Sequence, residues 1–310
     1  MVNILISGYY GFDNIGDESI LRTLVSSLRE HIPDCSLTVL SHNPTSTREK
    51  YGVEAVDRMS PMAILRAVKK CDMLISGGGS LLQDVTSSKS LHYYLSIIRC
   101  AEFFHKKVFI YSQGIGPIDR PGNRRAAAAA LKRADGIVVR DERSAALLEE
   151  IGIARDKVVI TADPVIRMKK PDGDVGAEIL RKAGVSLDGR LTVGWAIRER
   201  DTDSRFVKEL LRSIQMMKDK YNAQSVLIPF HYEEDGEVCR HIAAQLPDDT
   251  AVCLNEKYLS EDMLSIIGNM DLLVGVRLHS LIYAAIMGVP LIGISYDPKC
   301  TAFLNSVGVG

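Results

Sequence analysis

Val2-Asn3-Ile4-Leu5-Ile6-Ser7 runs directly into Gly8-Tyr9-Tyr10-Gly11-Phe12-Asp13-Asn14-Ile15-Gly16-Asp17-Glu18, and this stretch decides the fold. A short, nearly unbroken apolar run bounded by glycine reads as a strand buried on both faces. Acidic residues then open an amphipathic segment of helix length, residues 18–30, where negative charge favours a helix N-terminus. Strand, glycine turn and helix make the repeating piece of a parallel α/β sheet.

Working outward, the same alternation recurs. Strands are expected at residues 2–7, 37–41, 73–76, 108–112, 136–140 and 158–161, with helices at 18–30, 62–69, 90–104, 123–132 and 142–151. The rhythm breaks near residues 164–190, where Pro164, Pro171, Gly173, Gly176, Gly184 and Gly189 stand among charged residues. This reads as a linker in which 175–182 has room for a helix. Alternation then restarts, with strands at 191–197, 225–230, 251–254, 272–275 and 291–295 and helices at 204–220, 234–245, 260–267 and 278–287. The fold class is therefore α/β, two Rossmann-like lobes facing across a cleft. The N-terminal lobe is expected over 1–165, a linker over 166–190 and the C-terminal lobe over 191–310. In open sheets of this type, ligands bind at the carboxyl ends of the strands.

Composition supports a folded enzyme-sized chain and excludes other classes. Of 310 residues, 46% are hydrophobic and 25% charged, a globular balance. The 38 basic and 39 acidic residues leave a net charge of −1, so nothing argues for nucleic acid as the main ligand. No apolar run approaches the roughly 20 residues of a membrane span. The N-terminus reads as a first strand, with no basic leader before it. Six scattered cysteines, at 35, 71, 100, 239, 253 and 300, form no CxxC pair and no zinc spacing. They suit a reduced, cytoplasmic chain, and no metal site is expected.

Three glycine turns follow strands on one sheet edge: residues 8–18, Gly77-Gly78-Gly79-Ser80 and Gln113-Gly114-Ile115-Gly116-Pro117. Glycine there permits positive φ and close approach of a ligand to backbone N–H groups; each turn could equally be only a tight connection. The first is G-x-x-G-x-x-x-x-G and not the dinucleotide fingerprint G-x-G-x-x-G. Its Asp13 would repel a pyrophosphate and suits sugar hydroxyls or a general base. Cations mark other strand ends: Arg140 in the first lobe, and Arg198, Arg277, His279 and Lys299 in the second, with His231 beside them. Arg forks, point charges and helix N-termini together hold a small, highly charged anion.

These motifs, with Asp163-Pro164, Arg277-Leu278-His279-Ser280 and Ile294-Ser295-Tyr296-Asp297-Pro298-Lys299, resemble in content and order the polysaccharide pyruvyl transferase family. The likeness runs along essentially the whole chain and is close to the bacterial CsaB type, which modifies secondary cell wall polymers. It implies a GT-B-like fold and transfer of pyruvate from phosphoenolpyruvate (PEP) onto two hydroxyls of one sugar, giving a cyclic ketal. For this type the acceptor would be a β-linked N-acetylmannosamine in a lipid-linked precursor, ketalised at O4 and O6. The pyruvylated polymer is what S-layer homology domains grip. A lipid-linked acceptor would bring the enzyme to the inner membrane face. The basic helix at 123–133 could assist that contact, although a solvated face is the plainer role of its charges. GT-B-like chains commonly finish with a helix crossing back to the first lobe; here the sequence ends at Gly310, soon after the Lys299 turn.

PEP carries about three negative charges, and each charge-assisted hydrogen bond offers roughly 1.5–3 kcal/mol. Arg140, Arg277 and Lys299, with His279, are expected to hold it. Histidine ordinarily titrates near neutrality, so His279 is the candidate acid for C3 of PEP. Asp13 would orient or deprotonate the acceptor hydroxyl, and the two roles can be exchanged. Gly11, Asp13, Asn14, Gly78, Gly79 and Gln113 are expected around the acceptor, with no cofactor beyond PEP itself. The rival readings are a GT-B glycosyltransferase using a nucleotide sugar, a nicotinamide-dependent oxidoreductase and a non-catalytic sugar-binding module.

Overall fold

The computed structural model describes residues 1–85, 87–199, 201–202, 204–295 and 297–309. Tyr296 of the closing motif and the terminal Gly310 lie outside the described residues. The chain forms two compact units, residues 1–12 with 17–167 and residues 13–16 with 168–310.

The first unit alternates strand and helix throughout. Its elements are β1 (Val2–Tyr10), α1 (Ile15–His31), β2 (Cys35–Ser41), α2 (Pro44–Tyr51), β3 (Glu54–Asp57), α3 (Pro61–Lys70), β4 (Met73–Ser76), α4 (Ser88–Phe103), β5 (Lys107–Gln113), α5 (Pro121–Leu131), β6 (Gly136–Val139), α6 (Glu142–Glu150) and β7 (Val158–Ile160). The seven strands pair in the order β3-β2-β1-β4-β5-β6-β7, every pair parallel. Side chains alternate across a strand, and β1 shows the result. Ile4 and Ile6 enter one apolar layer with Leu21, Leu24 and Val39, while Leu5 enters the opposite layer with Leu74, Val108 and Ile110. That is why the strand reads as continuously apolar. The α2–β3 pair is an addition to the sequence reading; β3 is a four-residue edge strand with charged ends. The three glycine turns leave β1, β4 and β5, which are neighbours in the sheet.

The second unit contains α7 (Val175–Lys182), β8 (Thr192–Ala196), α8 (Arg205–Tyr221), β9 (Gln224–Leu227), α9 (Tyr232–Gln245), β10 (Ala251–Cys253), α10 (Ser260–Gly268), β11 (Leu272–Gly275), α11 (Leu278–Met287), β12 (Leu291–Gly293) and α12 (Pro298–Ser306). Its sheet has the order β10-β9-β8-β11-β12 and is again parallel. Val193 and Trp195 pack with Val207, Leu227 and Val274, and the indole N–H donates to Ser225 Oγ at 2.9 Å.

Two expected boundaries change. Residues 168–190 are part of the second unit and not a bare linker. Asp174 caps α7 through Ala177 N–H, and Gly176 N–H donates to Ser265 Oγ of α10 at 2.9 Å. Residues 13–16, expected in the N-terminal lobe, cluster with the second unit. Ile15 N–H donates to Phe230 O at 3.0 Å, and Asn14 forms an antiparallel bridge with His231.

Candidate functional site

A basic residue follows the carboxyl end of every strand in the second sheet. Arg198 follows β8, His231 β9, Lys257 β10, Arg277 and His279 β11, and Lys299 β12. Parallel strands point their carboxyl ends the same way, so these residues share one sheet edge, where α/β sheets take ligands.

Arg277 is the best held of them. Its Nε donates to Asp235 Oδ2 at 3.0 Å and its Nη2 donates to Oδ1 of the same carboxylate. Glu234 Oε2 lies 3.6 Å from Nη2. The Asp235 side chain is 1% exposed and that of Arg277 15%; Asp235 also accepts the backbone N–H of His231 at 2.8 Å. A side-on fork of this kind uses two of the five guanidinium N–H donors. Nη1 makes no hydrogen bond among the described residues, so the outer edge of a rigidly aimed cation remains for an anion. Arg277 is also the N-cap residue of α11 and supplies no side-chain cap, so the positive end of that helix lies at the same place.

His279 stands in the first turn of α11. Its imidazole lies against Gly16: a Cβ built there would fall 2.0 Å from Nδ1 and 2.6 Å from Cγ. Gly16 is a glycine because the ring occupies its side-chain space. Three residues earlier, Asp13 has a φ of +53°, and its Oδ2 accepts from Lys257 Nζ at 2.7 Å. Lys257 also lies 3.6 Å from Glu233 Oε1 and 5.5 Å over the Tyr232 ring. The hydrogen bond to Asp13 raises the Lys257 pKa against the opposing pull of burial, which keeps the ammonium charged. The short segment 13–16 thus carries a carboxylate at one end and the imidazole's seat at the other. His231 caps α9 by accepting Glu234 N–H on Nδ1 at 3.2 Å, which assigns the proton of the neutral ring to Nε2.

Lys299 lies in the first turn of α12, its Nζ 3.3 Å from Asp297 Oδ2. Asp297 caps that helix by accepting Lys299 N–H at 3.0 Å, and Cys300 Sγ sits 3.6 Å from Val276 O, tying α12 to the turn that carries Arg277. Arg198 is exposed.

Asn14, also in the second unit, accepts Gly16 N–H on Oδ1 at 3.1 Å; the remaining expected site residues belong to the first unit. Gln113 is fully buried; its Nε2 donates to Ser76 O, Ser76 Oγ and Gly77 O, so it ties β4 to β5. Arg140 is 6% exposed and ion-paired with Asp163 at 2.9 Å, donates to Ser80 Oγ at 2.9 Å and lies across Gly114. Both of these hydrogen bonds are made within the first unit, and they use two of its five guanidinium donors. At Gly11, Gly78 and Gly79 the space a Cβ would need is filled by Ser41 and Asn43, by Ile20 and by Asp17. Close packing within the protein by itself requires glycine at these positions.

The sequence reading missed Asp235 and Lys257. Asp235 lies 42 positions from Arg277 and Lys257 lies 244 from Asp13, with no local pattern joining either pair. The available signal was positional: Lys257 follows a strand end, as the recognised cations do. Among the described residues no group of three His, Cys, Asp or Glu could hold a metal ion, and no helix is long and apolar enough to cross a membrane.

Comparison with known proteins agrees with this fold. The chain is 21% identical to the amylovoran biosynthesis protein AmsJ of Erwinia amylovora, over 99% of this chain and 86% of that protein. It superposes on the UDP-GlcNAc 2-epimerase of Methanocaldococcus jannaschii with a TM-score of 0.68 at 14% identity, covering 99% of this chain and 87% of the other. For Anabaena HepE, solved in complex with UDP-glucose, the TM-score is 0.63 at 12% identity, covering 94% and 80%. At these identities the structural likeness concerns the fold, two Rossmann-like α/β units of GT-B-like type. A family model for polysaccharide pyruvyl transferase matches residues 14–298. The chain therefore belongs to the polysaccharide pyruvyl transferase family, and it is a transferase that moves pyruvyl groups in polysaccharide biosynthesis.

Proposed function

We propose that the donor is PEP, bound at the strand-end cations of the second unit, and that the acceptor is a sugar ketalised on two of its hydroxyls. The acceptor most in keeping with the resemblance is a β-linked N-acetylmannosamine in a lipid-linked cell wall polymer precursor, modified at O4 and O6. The observation that carries this reading is the grouping of a candidate acid and a candidate base by one short segment. Gly16 seats the His279 ring, and Asp13, on the same segment, is held by Lys257.

The chemistry follows from those groups. Arg277, aimed by Asp235, grips a PEP anion through the N–H donors the fork leaves over, and Lys299 adds a point charge. His279 gives a proton to C3, so C2 becomes an oxocarbenium-like electrophile. The first sugar hydroxyl adds to C2 and loses its proton to Asp13. The C2–O bond to phosphate breaks, the second hydroxyl adds to C2 and loses its proton, and the ring closes. Of the two protons lost by the sugar, one replaces that given to C3 and one leaves with phosphate.

Incubation with PEP and methyl β-N-acetylmannosaminide tests this. The reading expects phosphate release in step with a new ketal methyl signal by NMR. Release of UDP from a UDP-sugar, with PEP left intact, would instead assign the chain to nucleotide-sugar chemistry.

A further inference from the structure

Three rings at the carboxyl edge of the first unit stand in one column. Tyr9 is the next-to-last residue of β1, Phe12 follows that strand and His42 follows β2. Tyr9 and Phe12 lie 4.0 Å apart with planes at 5°, and Phe12 and His42 lie 4.4 Å apart at 4°. Phe12 is covered by both neighbours, and the exposed His42 ends the column.

Beside the column sits Arg58, the residue after β3. Its Cζ lies 5.7 Å from the Tyr9 centroid and 5.1 Å from that of Phe12, and 4.7 and 5.5 Å from those of Tyr93 and Tyr94. Arg58 is only 7% exposed. It donates to Gly8 O and Tyr94 Oη and has no carboxylate partner among the described residues. Burial pushes the Tyr94 phenol up to about 12, so that partner stays neutral.

Packing alone does not call for this arrangement. The ring centroids, 4.0 and 4.4 Å apart, lie closer than aromatic pairs usually do, and a buried cation without a carboxylate costs desolvation. The column does provide a braced, flat ring face at the edge of three adjacent strands, β3-β2-β1, where such sheets bind ligands. The negative face of a ring attracts the polarised C–H bonds on the flat side of a pyranose. Exposed Asn43 and Asp57, next in the chain to His42 and Arg58, add groups suited to sugar hydroxyls. We propose that the Tyr9–Phe12–His42 column is a carbohydrate platform, on which the pyranose ring of the acceptor stacks against the open face of His42. The proposal rests on the reading of the acceptor as a sugar, and Phe12 is bonded directly to Asp13, the residue read as acting on the acceptor hydroxyl.

The test uses the full chain with methyl β-N-acetylmannosaminide and methyl β-galactoside, read by saturation-transfer NMR and by acceptor KM. His42→Leu keeps Phe12 covered but removes the flat face; His42→Trp enlarges it. The platform expects ring-proton saturation with the wild type, a roughly tenfold weaker acceptor in His42→Leu, retained or tighter binding in His42→Trp and an unchanged PEP KM in both. His42 is exposed, so both variants should fold, and unchanged thermal unfolding checks this. Equal acceptor KM and equal NMR signals in wild type and His42→Leu would overturn the platform. So would saturation of uridine but of neither glycoside. Absence of PEP turnover in the wild type, with glycoside binding still sensitive to His42, would sink the donor reading and leave the platform standing.

Discussion

Replacing Gly16 with alanine asks whether the His279 ring is where the chemistry happens. An added Cβ would lie 2.0 Å from Nδ1 and 2.6 Å from Cε1 and Cγ. Ordinary van der Waals contact begins near 3.4 Å, so the ring or the segment must give by about 1.4 Å. The φ of Gly16 is not among the positive values, so alanine strains no backbone torsion there and favours the helix that begins at Ile15. Steric displacement of the imidazole is then the only large effect. A misplacement of about 1 Å at a reacting group can cost roughly 10²-fold, and a lost acid–base contribution costs about 10²–10⁴-fold. The expected result is a kcat lower by at least about 10²-fold, with PEP affinity and thermal unfolding little changed. The assay is PEP-dependent phosphate release with acceptor, beside direct measurement of PEP binding. In a His279→Ala background, Gly16→Ala should do little more, because both changes remove the same contribution. A near-wild-type kcat for Gly16→Ala would refute the reasoning.

Asp235→Asn should raise the PEP KM by tenfold or more while kcat falls less, because Arg277 loses the fork that aims it; breaking such a buried pair also costs about 3–5 kcal/mol of stability, readable by denaturant unfolding. Lys257→Met should lower kcat more than PEP KM, with Lys257→Arg restoring part of the loss; equal kinetics in all three forms would leave Asp13 independent of its lysine. Gln113→Leu should cost about 1–3 kcal/mol through the unmade bonds to Ser76 and Gly77 and leave the acceptor KM unchanged, whereas a large rise in that KM would return Gln113 to the acceptor site. Burial pushes the Asp84 carboxyl up, but hydrogen bonds from Asp119, Asn123 and Arg120 outweigh it and hold its pKa below the usual range. A depressed carboxylate contributes stability that is full above the ordinary Asp pKa of about 3.9 and is lost as pH falls through its folded value. The stability gap between wild type and Asp84→Ala, followed by urea unfolding, should therefore narrow from pH 6 to pH 3; a gap that widened would contradict the assignment.

The fold was readable because burial on both faces leaves a plain mark. Residues 73–76, 272–275 and 278–287 were expected with the bounds that the structure gives to β4, β11 and α11. The mark fails at β3, where Glu54-Ala55-Val56-Asp57 is an edge strand too short and too charged to stand out. The strand-end positions of Arg277, His279 and Lys299 were legible, because each follows a strand that the sequence marks. Their partners were not, because a parallel sheet brings together residues far apart in the chain, and neither Asp235 nor Lys257 carries a local signature. The glycines are ambiguous in sequence for a related reason. A bare Cα can face a ligand or a neighbouring side chain, and only the position of Ile20, Asp17 or His279 tells which.

The most direct test of the central claim is a crystal structure of the protein with PEP. It should show the phosphate or carboxylate on the Nη1 edge of Arg277, Lys299 close to the same anion and C3 facing His279. PEP bound elsewhere, with Arg277 still engaged only by Asp235, would contradict it.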